Sequence, residues 1–540
     1  MPGLEHSLEG HDLAYLRSIA DIWRLELDAP DARRAAEQLA SQIAGLIAEP
    51  DLIPPACQPA LRALAAAGGR LPWLQFVRTY GELREMGPAR MEKERPQRSP
   101  VSVTEQLWYR GLLGRAFFET PSGPAEFAYL PDEVLASLPS APAAKQSPLG
   151  RPARPDERAV VHAASDSVLD EATSLLAALR TGMAPDDAAR LEQWQTQPAF
   201  LQALLRSAGL IDAAGKVSAN AARLWLEMTR GDALLALIAA WLASEELNEL
   251  RLLPGLTAEG GWQNEPNATR SKVLAMLRAL PTGQWWNLDS FVADVKQHQP
   301  DFQRSGGDYD AWYLRDQEGK FLRGFPHWDA VDGALLRYYL TGPLHWLGIL
   351  ELASAAAGEQ PLAFRYGAWA EDMLNKRSPK LAQENTKLKV DSQGQITAGR
   401  LTPRAVRYQA ARFCTWLPPR KGNYQYQISA AGLGAARQQG LQASQLLALL
   451  QAQVGAALPP NLPQALRRWQ QHGAQAQLAP RLVLRVQSAA ALKALRASRA
   501  SRWLGELLGP LAITVKPGAG QQVLQALLEQ GYLGELEEAE

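Results

Sequence analysis

Cysteine is almost missing from this chain. The 540 residues hold two, Cys57 and Cys414, far apart and outside any C-x-x-C or Cys/His spacing. That excludes a disulfide framework and a cysteine-ligated zinc site, and the expectation is two buried thiols in a reducing compartment. Net charge is missing as well, because 56 Lys and Arg balance 56 Asp and Glu. No overall field can hold a polyanion, so any nucleic-acid surface must arise from local segregation of charge. Long apolar runs are absent. The longest, Ala233 to Ala243, lies between Asp232 and Glu245 and falls short of the roughly 20 residues of a membrane span. Met1, Pro2 and Gly3 open an acidic, amphipathic start without the basic and apolar regions of a secretory signal. A cytoplasmic protein with no membrane partner is expected.

Catalytic signatures are equally scarce. No G-x-x-x-x-G-K-[ST] string occurs to cradle phosphates, and no G-x-S-x-G elbow presents a serine. The seven histidines, His6, His11, His162, His298, His327, His345 and His472, include no pair at the i, i+4 spacing of a helical metal site. The expectation is no catalytic residue, no metal and no cofactor. Val168, Leu169, Asp170, Glu171 and Ala172 have the form of a helicase magnesium box, but without a phosphate loop they read as a solvent-facing helix start. Asp156 with Glu157, and Glu92, Lys93 and Glu94, are the nearest approach to a nuclease carboxylate cluster. Their polar, charge-mixed settings favour solvated loops. The Asp308 and Asp310 loop lacks the ligand order of an EF-hand.

What is present is ordinary globular material, 46% hydrophobic and 21% charged, enough for about three or four domains of ~150 residues. Residues 1–56 carry apolar positions at helical spacing and read as two short helices. In 57–138 an apolar helix stops at Gly68 and Gly69, a second starts near Leu71, and Ser102 with Glu105 forms an S-x-x-E box that opens a third. That helix runs to Gly114. Phe117–Thr120 and Phe127–Leu130 then read as strands joined through Pro121, Ser122 and Gly123. Three helices followed by a hairpin is winged-helix order.

Residues 139–158 read as a Pro-, Ala- and Ser-rich linker. Residues 159–260 repeat the theme in degenerate form, and 261–375 form a third winged-helix-like module. Its last two helices, Ala334–Leu340 and Leu344–Leu350, are divided by Pro343, and 305–324 is a surface loop. From 376 to 540 strands alternate with helices, which predicts an α+β domain. The fold class is therefore mainly α with small β-hairpins, tandem winged-helix-like modules preceding that α+β domain.

Charge is segregated near the C-terminus. Between Lys376 and Lys421 basic residues far outnumber Glu384 and Asp391, a plausible phosphate track. Its candidate contacts are Lys387, Lys389, Arg404, Arg407, Arg412, Arg420 and Lys421. Interleaved Tyr408, Phe413, Trp416, Tyr424 and Tyr426 would stack bases if exposed, although core positions outweigh that reading. A second run adds Arg496 and Arg499, placed with Lys493 on one helical face. In the first winged-helix module Arg110 would extend from the recognition helix. Winged helices also dock proteins, and both uses stay open for this one.

The strings Tyr424-Gln-Tyr-Gln-Ile-Ser429, Leu446 to Leu450, Leu458-Pro-Pro-Asn-Leu-Pro463 with Trp469, Leu482-Val-Leu484 and Gly531-Tyr532 together resemble the bacterial helicase-associated domain, which is similar to the N-terminal domain of XPB-type helicases. The resemblance covers about Thr386 to Leu533. Gly69-Arg-Leu-Pro-Trp73, Trp108-Tyr-Arg-Gly-Leu-Leu-Gly114 and Tyr338-Tyr-Leu-Thr-Gly-Pro343 look like strings of stand-alone bacterial members. It implies a DNA-repair or transcription setting, with DNA and a separately encoded helicase or transcription protein as partners. It supplies no motor and no motif-level binding residues. A DNA-binding or helicase-accessory protein is the favoured expectation, and a protein-interaction scaffold the alternative.

Overall fold

A computed structural model describes residues 1–47, 52–120, 123–138, 148–304, 306–476 and 481–536. The chain divides into two compact units, residues 1–459 and 460–540. The architecture is mixed, with helices for about half the chain and small antiparallel sheets between them.

The first unit opens with three helices rather than two, Leu4–Leu8, Leu13–Trp23 and Ala32–Leu46. Asp12 and Asp31 cap the second and third through side-chain oxygens that accept from Tyr15 and Arg34 backbone N–H groups, as short polar N-cap residues do. Their apolar faces share one core with Leu61, Leu64, Phe76, Leu107, Leu112 and Leu130. This packing continues into helix Gln58–Ala66, strand Arg70–Pro72, helix Trp73–Tyr80, helix Val103–Trp108 and strands Gly114–Thr120 and Gly123–Tyr129. In their sheet Gly123–Tyr129 is central, between Arg70–Pro72 and Gly114–Thr120. The Ser102 Oγ accepts from Glu105 N at 3.0 Å, so the expected cap forms. Its reciprocal half does not, because the Glu105 carboxylate instead accepts from Val101 N and from Arg84. The expected turn residues Pro121 and Ser122, and 139–147 of the expected linker, lie outside the described residues.

Farther along, helices Pro266–Arg278, Leu288–His298 and Ala334–Thr341 accompany a four-stranded sheet in the order Val160–His162, Leu350–Ser354, Ala363–Tyr366, Trp286–Asn287. Two expectations fail here. Pro343 begins a single turn, Pro343–Trp346, and the residues from Leu350 are a strand that ends on Ser354. The 305–324 segment is not all loop: Tyr313–Arg315 pairs with Thr257–Glu259, and Phe321 bridges to Arg315. Ser305 itself lies outside the described residues.

Residues 389–427 build another antiparallel sheet, ordered Lys389–Val390, Gln395–Ala398, Asn423–Gln427, Thr415–Arg420, with helix Arg404–Ala411 inserted between its two hairpins. The row Val390, Ile396, Tyr426, Trp416 faces inward, and the alternate row Lys389, Thr397, Gln425, Leu417 faces away. This sheet belongs to the first unit although its sequence continues the segment from 376 to 540.

The second unit has helix Asn461–His472, then strand Leu482–Arg485, helix Ala489–Ala497, strands Leu504–Gly509 and Ala512–Val515, and helix Gly520–Glu529. Strand Ala512–Val515 is central in the sheet. Leu495, Ile513, Val515, Val523 and Leu527 form the core beneath it. Among the described residues no helix is long and apolar enough to cross a membrane.

Candidate nucleic-acid interface

The expected phosphate contacts fall into two groups with opposite surroundings. Lys387, Lys389, Arg420 and Lys421 are exposed. They gather at one end of the sheet: Arg420 pairs with Asn423 across the tight turn, and a side-chain carbon at Gly399 would lie 3.1 Å from Thr386 and 3.6 Å from Asn423. Lys387 follows Thr386 directly, and Lys389 enters the edge strand two residues later. Among the described residues none of the four is held in an ion pair.

Arg404 and Arg407 contradict the sequence expectation, being 0% and 1% exposed. Arg404, Arg407, Tyr408 and Ala411 occupy the i, i+3, i+4, i+7 positions of one helical face, and that face is buried against Ser167–Thr181. Arg404 Nε donates to Glu384 Oε1 at 2.8 Å and its Nη2 to the Met228 carbonyl at 2.7 Å. Arg407 donates to Ser174 Oγ at 2.7 Å and to the Asp170 carbonyl at 2.5 Å, with its guanidinium 4.0 Å above the Tyr424 ring. Neither can reach an external phosphate in this arrangement. Arg412 is half-buried, tied to Gln439 Oε1 at 3.0 Å and lying over Tyr408.

These arginines belong to a cluster that sequence reasoning missed. Asp166, Asp170 and Arg230 are 4%, 1% and 2% exposed, so the solvent-facing reading of Asp170 and Glu171 is also wrong. Arg230 donates to Asp166 Oδ2 at 2.6 Å, to both Asp170 oxygens, and to Glu384 Oε1 at 3.1 Å. Arg400 closes the outer side, ion-paired to Asp166 and Asp170. Glu171, buried beside them, accepts from Gln195 N and Thr196 N, and burial pushes its carboxyl above the usual range. Charges removed from water persist only when paired and hydrogen-bonded, and here carboxylates at the start of helix Ser167–Thr181 and at Glu384 meet guanidinium groups from helices Arg230–Ala243 and Arg404–Ala411 and from Arg400. Gly231, next to Arg230, lies under the passing chain. A side-chain carbon there would collide with the Pro379 carbonyl. The available signal was Asp166 and Asp170 at i, i+4 spacing, at the cap and in the first turn of helix Ser167–Thr181.

Arg110 lies beyond its expected recognition helix, which ends at Trp108 and buries Thr104, Glu105 and Leu107. Its guanidinium is half-buried on the Gln106 carbonyl at 2.8 Å, and its own carbonyl accepts from Trp23 Nε1 at 2.8 Å. The interleaved aromatics are structural. Tyr408, Phe413, Trp416 and Tyr426 are buried, and Tyr424 is half-buried under Arg407. Both cysteines are buried free thiols.

In the second unit Lys493 and Arg496 are exposed on helix Ala489–Ala497. With Leu492, Leu507 and Pro510 they line a cleft of about 380 Å³. Arg499 does not share that helical face as expected. It starts the next turn, Arg499–Trp503, and is ion-paired with Glu529 at 2.5 Å.

No protein-family model matches the chain, and no curated protein matches it.

Proposed function

We propose that this protein is a non-catalytic DNA-binding protein, accessory to a separately encoded helicase or transcription protein in the cytoplasm. The carrying observation is the set of four exposed cations, Lys387, Lys389, Arg420 and Lys421, at one end of a sheet and without an ion pair among the described residues. Cations placed this way neutralise phosphates and release condensed counterions. Arg496, with Lys493 beside the apolar floor of Leu492 and Leu507, offers a second contact. The buried Arg404 and Arg407 have no place in this set.

Residues 57–138 run helix, strand, three helices (Trp73–Tyr80, Pro88–Glu94 and Val103–Trp108), two strands and a closing helix Asp132–Ser137, with Gly123–Tyr129 central in the sheet, which supports a winged-helix reading. In the later sheet Ala363–Tyr366 likewise lies between Leu350–Ser354 and Trp286–Asn287, although strand Tyr313–Arg315 intervenes in the sequence. A second use is favoured for the first module. Its helix Val103–Trp108 is short, largely buried and without a cation, which suits a protein-docking role better than major-groove readout.

Fluorescence anisotropy of labelled single-stranded and duplex DNA, titrated at low and moderate salt, tests the reading. Affinity that falls with salt supports it. Absence of binding to either form at low salt overturns it in favour of the protein-interaction scaffold.

A further inference from the structure

An exposed sheet face far in sequence from the lysine cluster combines rings with guanidinium groups. Tyr313–Arg315 lies between Thr257–Glu259 and the bridge residue Phe321. Leu322 N donates to the Leu314 carbonyl at 2.9 Å and Asp316 N to the Lys320 carbonyl at 3.1 Å, which sets the antiparallel register. Alternation along a strand then separates two faces. Leu314 and Leu322 point inward, 1% and 7% exposed. Tyr313, Arg315, Phe321 and Arg323 point outward, so that Tyr313 stands opposite Arg323 and Arg315 opposite Phe321.

The four side chains make a square of alternating chemistry. Arg315 lies 3.7 Å from the Phe321 ring centre and Arg323 4.6 Å from that of Tyr313. The two rings meet edge to face at 6.4 Å. Tyr313 remains 46% exposed and Phe321 37%. Beneath the square the strand is anchored: Trp312 stacks on Trp262 at 5.2 Å and carries Arg304 at 4.1 Å on its ring. Arg304 is fixed in turn by the buried Asp332 carboxylate.

A single exposed ring asks for no ligand, but two rings and two guanidinium planes on one solvent-facing surface form a platform. We infer that this face stacks the unpaired bases of single-stranded nucleic acid. Every base has a π-face, and aromatic rings and arginine planes both accept it. Arg323, with no acidic partner among the described residues, and the neighbouring Lys320 suit the phosphates between those bases. Arg315 is already balanced by Glu259 at 2.9 Å and acts through its plane. A duplex, whose bases are stacked on one another, gains nothing here. The inference rests on the nucleic-acid reading above and adds the strand form and a second contact surface.

Full-length protein is titrated into labelled oligothymidine and into a duplex of equal length, for wild type, Tyr313→Ala with Phe321→Ala, and Tyr313→Trp with Phe321→Trp. The platform predicts that the alanine pair loses about tenfold or more in single-strand affinity, while its duplex affinity and salt slope stay unchanged. The tryptophan pair retains single-strand binding. An oligonucleotide bearing 5-iodouracil should photocrosslink within the peptide containing Tyr313 and Phe321. Wild-type single-strand binding that is indifferent to the alanine pair, with crosslinks elsewhere, overturns the platform and leaves the lysine cluster standing. Failure of wild type to bind any DNA at low salt overturns both.

Discussion

Arg230 and Asp170 meet as a two-pronged fork, Nη1 to Oδ1 at 2.9 Å and Nη2 to Oδ2 at 2.8 Å, with both side chains almost wholly out of water. Around this fork gather Asp166, Glu384, Arg400, Arg404 and Arg407. The cluster joins residues that precede Thr181 to residues beyond Lys376. Charges counted along the sequence as a surface field are here an internal fastening.

Removing one member leaves its partners charged and dry. Arg230→Ala should destabilise the first unit by about 3–5 kcal/mol. Arg190→Ala, which breaks the exposed pair with Asp187 and a long 3.4 Å bond to the Asp186 carbonyl, should change stability by less than ~1 kcal/mol. Equilibrium denaturation of the two variants checks this, and equal, small effects would deny the cluster a stabilising role.

The two groups of cations should separate in DNA-binding experiments. Replacing Lys387, Lys389, Arg420 and Lys421 with Gln should flatten the dependence of log affinity on log salt by up to about 3.6, at roughly 0.9 for each phosphate left without its cation. Arg404→Ala with Arg407→Ala should lower the melting temperature and leave that slope unchanged for folded protein. A slope reduced only by the second pair would reverse the assignment.

Glu157 supplies a pH-dependent increment. Arg151 grips its carboxylate at 2.5 and 2.9 Å, and this holds its pKa down to about 2 from an ordinary 4.5. A carboxyl whose pKa is lower folded than unfolded stabilises above the unfolded value and loses that contribution as pH falls toward the folded one. Wild type should therefore lose more stability between pH 5 and pH 2 than Glu157→Gln, measured by denaturant midpoint. Parallel pH profiles would show that the pair is energetically silent.

Gly114 begins the strand beside Tyr129, and a side-chain carbon there would overlap the tyrosine ring. Gly114→Ala should cost about 1–3 kcal/mol through overpacking. In the background of Tyr129→Ala the same change should cost much less, because the colliding ring is gone. A thermodynamic double-mutant cycle reads the coupling, and strict additivity would place the strain elsewhere.

Local signals in the sequence carried the small elements well. The Ser102 cap and the hairpin strands around Phe117 to Thr120 and Phe127 to Tyr129 follow from spacing and caps. Long-range pairing was not visible. Arg404 and Arg407 look like surface cations in their own segment, and only the folded chain brings Asp170 beneath them. A helix face that carried arginine where apolar residues were due, and a carboxylate pair at the start of helix Ser167–Thr181, were two halves of one signal separated by more than 200 residues. Tyr313 and Phe321 were hidden differently. Their Gly- and Asp-rich surroundings resemble a loop, and the strand depends on a partner at Thr257–Glu259.

Gly231 sets what the cluster can tolerate beside it. The chain at Pro379 crosses so close to it that the crossing fits only over a helix start bare of a side chain. That contact brings together segments about 150 residues apart, as Arg230 and Glu384 are. A side chain at position 231 would therefore push away the Pro379 segment and, with it, draw Glu384 off Arg230 and Arg404.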